Sequence, residues 1–373
     1  MKILIFTDWF APAYKAGGPV RSVVNMVNLL KKDHEVFVFT KDRDLKDTKP
    51  FRDIDEDEWM QADGFSIYHY SPGKMNLAIV RSVIKEIDPD RIYLNSMFSN
   101  MILPMMVAGK SGKVILCTRG MLRQSALSVK WFKKFIYLTF LKWWGMDKLL
   151  TFHATSKQEA KDIKKVFSKA EKIQIAPNLP EPVLKELPER KKMAGKLHMV
   201  FVGRMHPIKN LLFLLEALAR VKGDIHFDIV ATREDQDYWK KCKKHIFRMQ
   251  SRIHIVTYAD LKHEKVRGIL ENAEVFVLPT EGENFGHAIF EALAVGCPVV
   301  ISDQTPWRKL SEKKAGMDLS LSRTKFAQAI QSFVDMDDDR WQEYRKGALA
   351  LAADYEENMN SLNAYHDLFK LAE

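Results

Sequence analysis

Residues Pro279 to Asp303, P-T-E-G-E-N-F-G-H-A-I-F-E-A-L-A-V-G-C-P-V-V-I-S-D, carry the information that decides the fold. Val275 to Thr280 is a short apolar run that predicts a buried parallel strand. Glu281 to Asn284 predicts a tight loop, Phe285 to Val295 a helix ended by Gly296, and Pro298 to Asp303 the next strand. Inside the helix, Ala288, Ile289, Phe290, Ala292, Leu293, Ala294 and Val295 leave almost no polar face, and Glu291 is its only acidic residue. A buried carboxylate is costly unless paired or hydrogen-bonded, and a bound ligand would supply a partner. Glu283 lies eight positions earlier, at the strand-to-helix mouth where ligands collect in open α/β sheets and where a helix amino terminus favours phosphate. The competing reading makes Glu291 the cap of a neighbouring loop and Glu283 a solvated turn residue.

Working outward, His198 to Arg204, H-M-V-F-V-G-R, predicts a second buried strand, followed by M-H-P-I-K-N and a helix from Leu211 to Val221. Gly203, Arg204 and Lys209 then stand at another strand-to-helix mouth. A forked guanidinium and a point-charge ammonium together suit a diphosphate. At the amino terminus Lys2 to Asp8 predicts a strand, and Gly17 and Gly18 open a helix running to about Leu30. These glycines permit close backbone approach of a ligand, although the G-x-G-x-x-G dinucleotide spacing is absent.

E-N-F-G-H-A-I-F-E has an E-x7-E spacing. With A-L-A-V-G-C-P-V-V after it and V-G-R-M-H-P-I-K-N upstream, it resembles the retaining glycosyltransferases of family 4. F-T-D-W-F-A-P-A-Y-K-A-G-G-P, T-R-G-M-L at Thr118 to Leu122, H-A-T-S at His153 to Ser156 and A-P-N at Ala176 to Asn178 extend the likeness along most of the chain. The resemblance implies the α/β GT-B fold, two Rossmann-like doubly wound domains facing a central cleft. It implies sugar transfer from a nucleotide-sugar donor to a saccharide or lipid-linked acceptor in surface polysaccharide or glycolipid assembly. In the roles it implies, Arg204 and Lys209 hold the diphosphate and Glu283 contacts the transferred sugar; these three are the catalytic set. Glu291 reads the ribose, Gly203, Asn284, Phe285, Gly286 and His287 line the donor mouth, and Gly17 and Gly18 shape the facing loop. Where many members carry a histidine facing the donor sugar, this chain has Arg119, which either meets an anionic sugar or acceptor or pairs with a carboxylate. His287 is either hydrogen-bonded in the helix's first turn or a sugar contact, and His153 satisfies buried backbone.

A chain of 373 residues with 46% hydrophobic content suits two cores. The expected domains are 1–180 for the acceptor, 197–355 for the donor, and a terminal helix within 356–373 that crosses back to the first. Besides Lys2 to Asp8, strands are expected at Glu35 to Thr40, Phe65 to Ser71, Arg91 to Ser96, Lys113 to Arg119, Lys148 to Thr155 and Lys172 to Asn178. Between Leu179 and Lys196, three prolines among many charges predict an interdomain linker. No apolar stretch reaches the roughly 20 residues of a spanning helix. Three scattered cysteines have no metal-ligand spacing and suit a cytoplasmic protein. Asp-x-Asp strings such as Asp335 and Asp337 sit in polar runs, so neither a metal nor another cofactor is expected.

The net charge of +10 is concentrated: Arg119 to Lys172 holds thirteen Lys or Arg against four Asp or Glu. Val129 to Trp144 within it mixes lysines with tryptophans and phenylalanines. Such a helix either lies on an anionic membrane, at the inner face for a cytoplasmic protein, or packs its aromatics on the sheet with its lysines in water. The second reading is favoured, with one edge left to touch lipid. Nucleic acid is not expected, since no binding motif accompanies the charge. The alternatives to a transferase are another GT-B enzyme, a sugar-nucleotide epimerase or phosphorylase, and a noncatalytic basic module. The first lacks the extra acid–base or cofactor residues, and the second leaves Arg204, Lys209, Glu283 and Glu291 without purpose.

Overall fold

The structure, a computed structural model, describes all residues except 53, 55, 56, 129, 180, 233, 234, 250–252, 260, 359, 360 and 371–373. The corresponding ends of the expected basic helix, first domain and terminal helix therefore lie outside the described residues. The chain forms two compact units. One comprises Met1–Leu179 together with the helix Ser361–Lys370, and the other occupies the chain between them, up to Asn358.

The first unit is built on eight strands: β1 Lys2–Thr7, β2 Glu35–Lys41, β3 Trp59–Gln61, β4 Ser66–Tyr70, β5 Arg91–Asn95, β6 Val114–Cys117, β7 Thr151–Ala154 and β8 Lys172–Ile175. Their order is β3-β4-β2-β1-β5-β6-β7-β8, parallel throughout except for β3 against β4. The parallel strands inside the sheet coincide with the apolar runs expected, because a strand covered on both faces must be apolar on both, whereas the edge strand β8, K-I-Q-I, has no buried position. Strand β3 has no such run. It is a three-residue edge in which Trp59 packs edge-on against Phe37 and Tyr68. Lys148 and Leu149, expected at the start of a strand, end a short helix, Met146–Leu149, and β7 begins at Thr151. The terminal helix buries Tyr365, Leu368 and Phe369 in a cluster with Ile3, Ile5 and Tyr93. The Arg91 guanidinium donates to the Phe369 carbonyl at 2.8 Å, a cation satisfying the carboxyl end of a helix.

The second unit has six strands, β9 Lys196–Arg204, β10 Asp224–Thr232, β11 Ile253–Tyr258, β12 Val275–Leu278, β13 Val299–Ser302 and β14 Gly316–Leu319. They are ordered β11-β10-β9-β12-β13-β14 and are all parallel. Strands β12 and β13, V-F-V-L and V-V-I-S, are buried at every position. The helix between them, His287–Ala294, is shorter than the apolar run that announced it, because Gly286 forms its amino-terminal cap and Val295 its carboxyl cap. Similarly the helix Leu211–Leu218 stops three residues before Val221. The proline-rich segment expected as a linker packs along this unit. Leu184 donates its N–H to the Ala294 carbonyl at 2.9 Å, and Arg190 reaches the carbonyls of Glu271, Asn272 and Ala273 while stacking on Trp341.

Candidate functional site

Each sheet reverses its winding beside its first strand: β1 lies between β2 and β5, and β9 between β10 and β12. Loops leaving the carboxyl ends at such a reversal part to opposite sides of the sheet and leave a crevice that ligands fill. In the second unit the two loops at that point are Met205 to Asn210 after β9 and Pro279 to Gly286 after β12, so the fold brings together the two motifs singled out in the sequence.

They are joined by hydrogen bonds. The Glu281 N–H donates to the Ile208 carbonyl at 2.8 Å, and the Thr280 hydroxyl donates to the same carbonyl at 3.0 Å. The Lys209 ammonium forms an ion pair with the Glu283 carboxylate, both side chains being largely buried. Arg204 ends β9 beside Thr232 of β10, partly buried. A side chain at Gly203 would be 3.5 Å from the Lys209 stem, an ordinary contact, so glycine there is not sterically required. Gly286 differs: its φ is +83°, and a Cβ would fall 2.8 Å from the Ile289 side chain. Glycine alone lets the chain turn sharply from the Glu283 loop into the helix. The first intrahelical bonds run from the Ile289 and Phe290 N–H groups to the Gly286 carbonyl. N–H groups ahead of these face the loop mouth, as at any helix start. Phe285 is anchored below by Phe290, Trp307 and Tyr355, and the Trp307 indole donates to its carbonyl at 2.6 Å. His287 stacks edge-on against Phe285, and Asn284 lies between Glu283 and that anchor in the chain. Glu291 is buried within the helix.

The remaining expected residues belong to the first unit. Gly17 caps the helix Gly18–Leu30 with φ 70° and ψ −133°, and nothing stands within 4 Å of where its Cβ would be. Arg119, itself at φ 50°, follows the carboxyl end of β6, next to β5. It donates to Asn95 Oδ1 at 2.6 Å, to Asn178 Oδ1 at 2.6 Å and to the Tyr93 hydroxyl at 3.3 Å. Of the two alternatives for Arg119, the carboxylate pair gives way to amide oxygens and a phenol. Asn95 passes the network on to the Thr7 hydroxyl of β1 at 3.0 Å. Burial opposes its charge, yet the neighbouring Cys117, Tyr93 and Tyr365 groups hold the guanidinium pKa above its ordinary value. His153 is fully buried; its Nε2 donates to the Ala176 carbonyl at 2.7 Å, and its Nδ1 accepts from Tyr93 at 2.8 Å, a structural role as expected. Glu159 fixes the loop bearing Arg119 by accepting from the Thr118 hydroxyl at 2.6 Å and the Gly120 N–H at 2.5 Å. Asn95, Tyr93 and Glu159 had no signal in the sequence. Asn178 lay within the A-P-N motif without an assigned role.

The basic aromatic segment is a helix, Trp131–Trp143, and here the favoured expectation fails. Tyr137, Leu138 and Leu141 make the inward face, with the Tyr137 hydroxyl donating to the Met97 carbonyl at 2.9 Å. Trp131, Phe132, Phe135, Ile136, Phe140 and Trp143 face outward, Trp131 at 63% and Trp143 at 82% exposure. At 3.6 residues per turn these six sweep roughly half the helix circumference, with Lys133 at one edge and Lys142 among them. Apolar residues on so wide an arc exceed what one buried face can take. Among the described residues no helix is long and apolar enough to cross a membrane.

Residues 196–335 match the family model described as Glycosyl transferases group 1. No curated protein matches the chain by sequence. Among solved structures, WaaG, a glycosyltransferase involved in lipopolysaccharide biosynthesis, is 13% identical with a TM-score of 0.68, covering 99% of this chain and 100% of its own. Anabaena HepE in complex with UDP and glucose is 15% identical with a TM-score of 0.70, covering 99% and 98%. The lipopolysaccharide outer core galactosyltransferase WaaB is 16% identical with a TM-score of 0.61, covering 99% of each. At these identities the likeness is one of fold, the two-sheet GT-B architecture.

Proposed function

We propose, from the match of residues 196–335 to the model of the glycosyl transferases group 1 family, that this chain is a nucleotide-sugar glycosyltransferase, with the residue roles and acceptor that follow. The observation that carries the reading is the meeting of the Arg204 to Lys209 loop and the Glu283 to Glu291 segment at the reversal point of the second sheet, tied by the Lys209–Glu283 ion pair. Arg204 and Lys209 take the diphosphate, with the amino terminus of the helix His287–Ala294 adding its partial positive charge. Glu291 accepts hydroxyls of the ribose, which gives its buried carboxylate a purpose. Glu283 orients Lys209 and binds a hydroxyl of the transferred sugar.

The bond from the anomeric carbon to the leaving phosphate oxygen breaks as the acceptor oxygen approaches on the same face. Positive charge gathers on the sugar ring and negative charge on the diphosphate. Arg204 and Lys209 stabilise the latter where it develops, which is where a preorganised cation contributes most. The departing phosphate oxygen takes the acceptor's proton, so no side chain is required as base and no metal ion or other cofactor is invoked. In the first unit, Asn95 and Asn178 preset the Arg119 guanidinium for an anionic group.

The outward aromatics of Trp131–Trp143, bordered by lysines, favour an acceptor carried on an anionic membrane, such as a lipid-linked saccharide. Calorimetric titration with UDP, GDP, dTDP and ADP, followed by transfer assays with the sugar forms of whichever binds, tests the reading. One nucleotide is expected to bind, and Glu291→Ala to weaken it; equal binding by the variant would remove Glu291 from the site.

A further inference from the structure

Strands β9, β10 and β11 place His198, His226 and His254 in one row across the sheet, since His226 is in register with both of the others. Side chains in one register row of a parallel sheet project from the same face. Asp228 lies two residues beyond His226 and projects there too. Its two oxygens are held by the two neighbouring imidazoles: His198 Nε2 is 2.7 Å from Oδ2 and His226 Nε2 is 3.0 Å from Oδ1. The His198 and His226 ring centroids are 4.6 Å apart with planes at 85°, and the His226 and His254 centroids are 4.8 Å apart. The carboxylate is buried, while the rings of His198 and His226 are only partly covered and His254 is exposed, so the cluster opens to solvent.

We propose that His198, His226 and Asp228 form a binding site for a borderline divalent transition metal ion, Zn2+ being the natural occupant. Two imidazole nitrogens and one carboxylate oxygen, mutually within 4.8 Å, are a donor set such ions favour and Mg2+ or Ca2+ do not. Around a tetrahedral ion at about 2.0–2.2 Å from each ligand, donor atoms lie roughly 3.3 Å apart, a spacing small side-chain rotations reach here. On binding, each imidazole turns an unprotonated Nε2 to the ion with its single ring proton shifted to Nδ1, so the two hydrogen bonds to Asp228 are exchanged for bonds to the metal. The fourth position is left to water or to His254. His198 stands six residues before Arg204 along β9, about 20 Å from the proposed diphosphate contacts. The ion therefore clamps β9 to β10 without entering sugar transfer.

The test uses full-length protein free of any histidine tag and stripped of metal, titrated with ZnCl2 by calorimetry, with Co2+ absorption reporting geometry. One ion per chain is expected, with a rise in melting temperature on binding. His226→Ala and His198→Ala, each checked for folding by its metal-free melting curve, should weaken binding at least tenfold and lose the zinc-dependent rise. His245→Ala, on the helix Gln236–Met249, should do neither. Failure of the wild-type protein to bind Zn2+, or binding that both cluster variants leave unchanged, overturns the assignment.

Discussion

Lys209→Met isolates what the Lys209–Glu283 pair does for a bound diphosphate. The substitution keeps a side chain of similar length but removes the charge that lies between Glu283 and the proposed phosphate position. A charge-assisted hydrogen bond contributes about 1.5–3 kcal/mol. Its loss also leaves the Glu283 carboxylate facing the diphosphate with nothing between them. Two like charges roughly 5 Å apart, in the effective dielectric of about 20 near a protein surface, repel by as much as about 3 kcal/mol, and solvent entering the gap reduces this to roughly 1–2 kcal/mol. The two effects together predict a loss of roughly 3–4 kcal/mol, or about 10²- to 10³-fold in nucleoside diphosphate affinity. The second part is recoverable: Glu283→Gln added to Lys209→Met removes the repulsion and should restore about 5- to 30-fold of the binding. Calorimetric titration of the four proteins with the nucleoside diphosphate that binds wild type closes the cycle. Were Lys209→Met to bind as wild type does, or the double variant to bind no better than the single one, the diphosphate would not lie at this pair.

Other perturbations probe the remaining parts. Arg204→Ala should lower turnover at saturating donor by roughly 10²- to 10³-fold, the cost of one preorganised donor to developing charge, and unchanged turnover would exclude it. Burial acts to raise the Glu159 pKa, but the hydrogen bonds from Thr118, Thr155 and Gly120 hold it below the ordinary value. Its stabilising contribution is therefore complete above the unfolded carboxylate pKa of about 4.3 and is lost as pH falls through the lower folded value. Glu159→Gln should accordingly melt at a lower temperature than wild type at pH 7, with the difference narrowing below pH of about 4. Trp131→Ala combined with Phe135→Ala and Trp143→Ala should abolish flotation with anionic vesicles while leaving nucleotide affinity unchanged. Wild-type flotation that salt does not reduce would deny the lysines a part.

Legibility followed the range of the interactions. The strand, loop, helix and strand around Gly286 could be read because four consecutive apolar positions in β12 and three in β13 leave little else for the chain to do. The apposition of Lys209 with Glu283 was implied once both were placed at strand ends, but their ion pair depends on β9 and β12 being sheet neighbours. The Arg119 network could not be read, since Tyr93 and Asn95 belong to β5, Asn178 follows β8, and only the sheet order brings their polar atoms to Arg119. Likewise His198 meets His226 and Asp228 of β10 only through the pairing of β9 with β10. Strand β3 escaped notice because a three-residue edge has no periodicity. The aromatic helix was misjudged for a different reason. Seen as composition, its tryptophans suited a core, whereas their angular spread already exceeded what one buried face accommodates.

The packing of Tyr365, Leu368 and Phe369 against Ile3, Ile5 and Tyr93 bears on how this protein is made. Strands β1 and β5 leave the ribosome early, yet the helix that covers this strip of them is encoded about 190 codons after the end of the first unit's main segment. At roughly 5–20 residues per second the interval is about 10–40 s, long against the time the second unit needs to collapse. Throughout it the nascent chain displays a greasy stripe that the helix Ser361–Lys370 later covers, a natural stretch for a chaperone to guard.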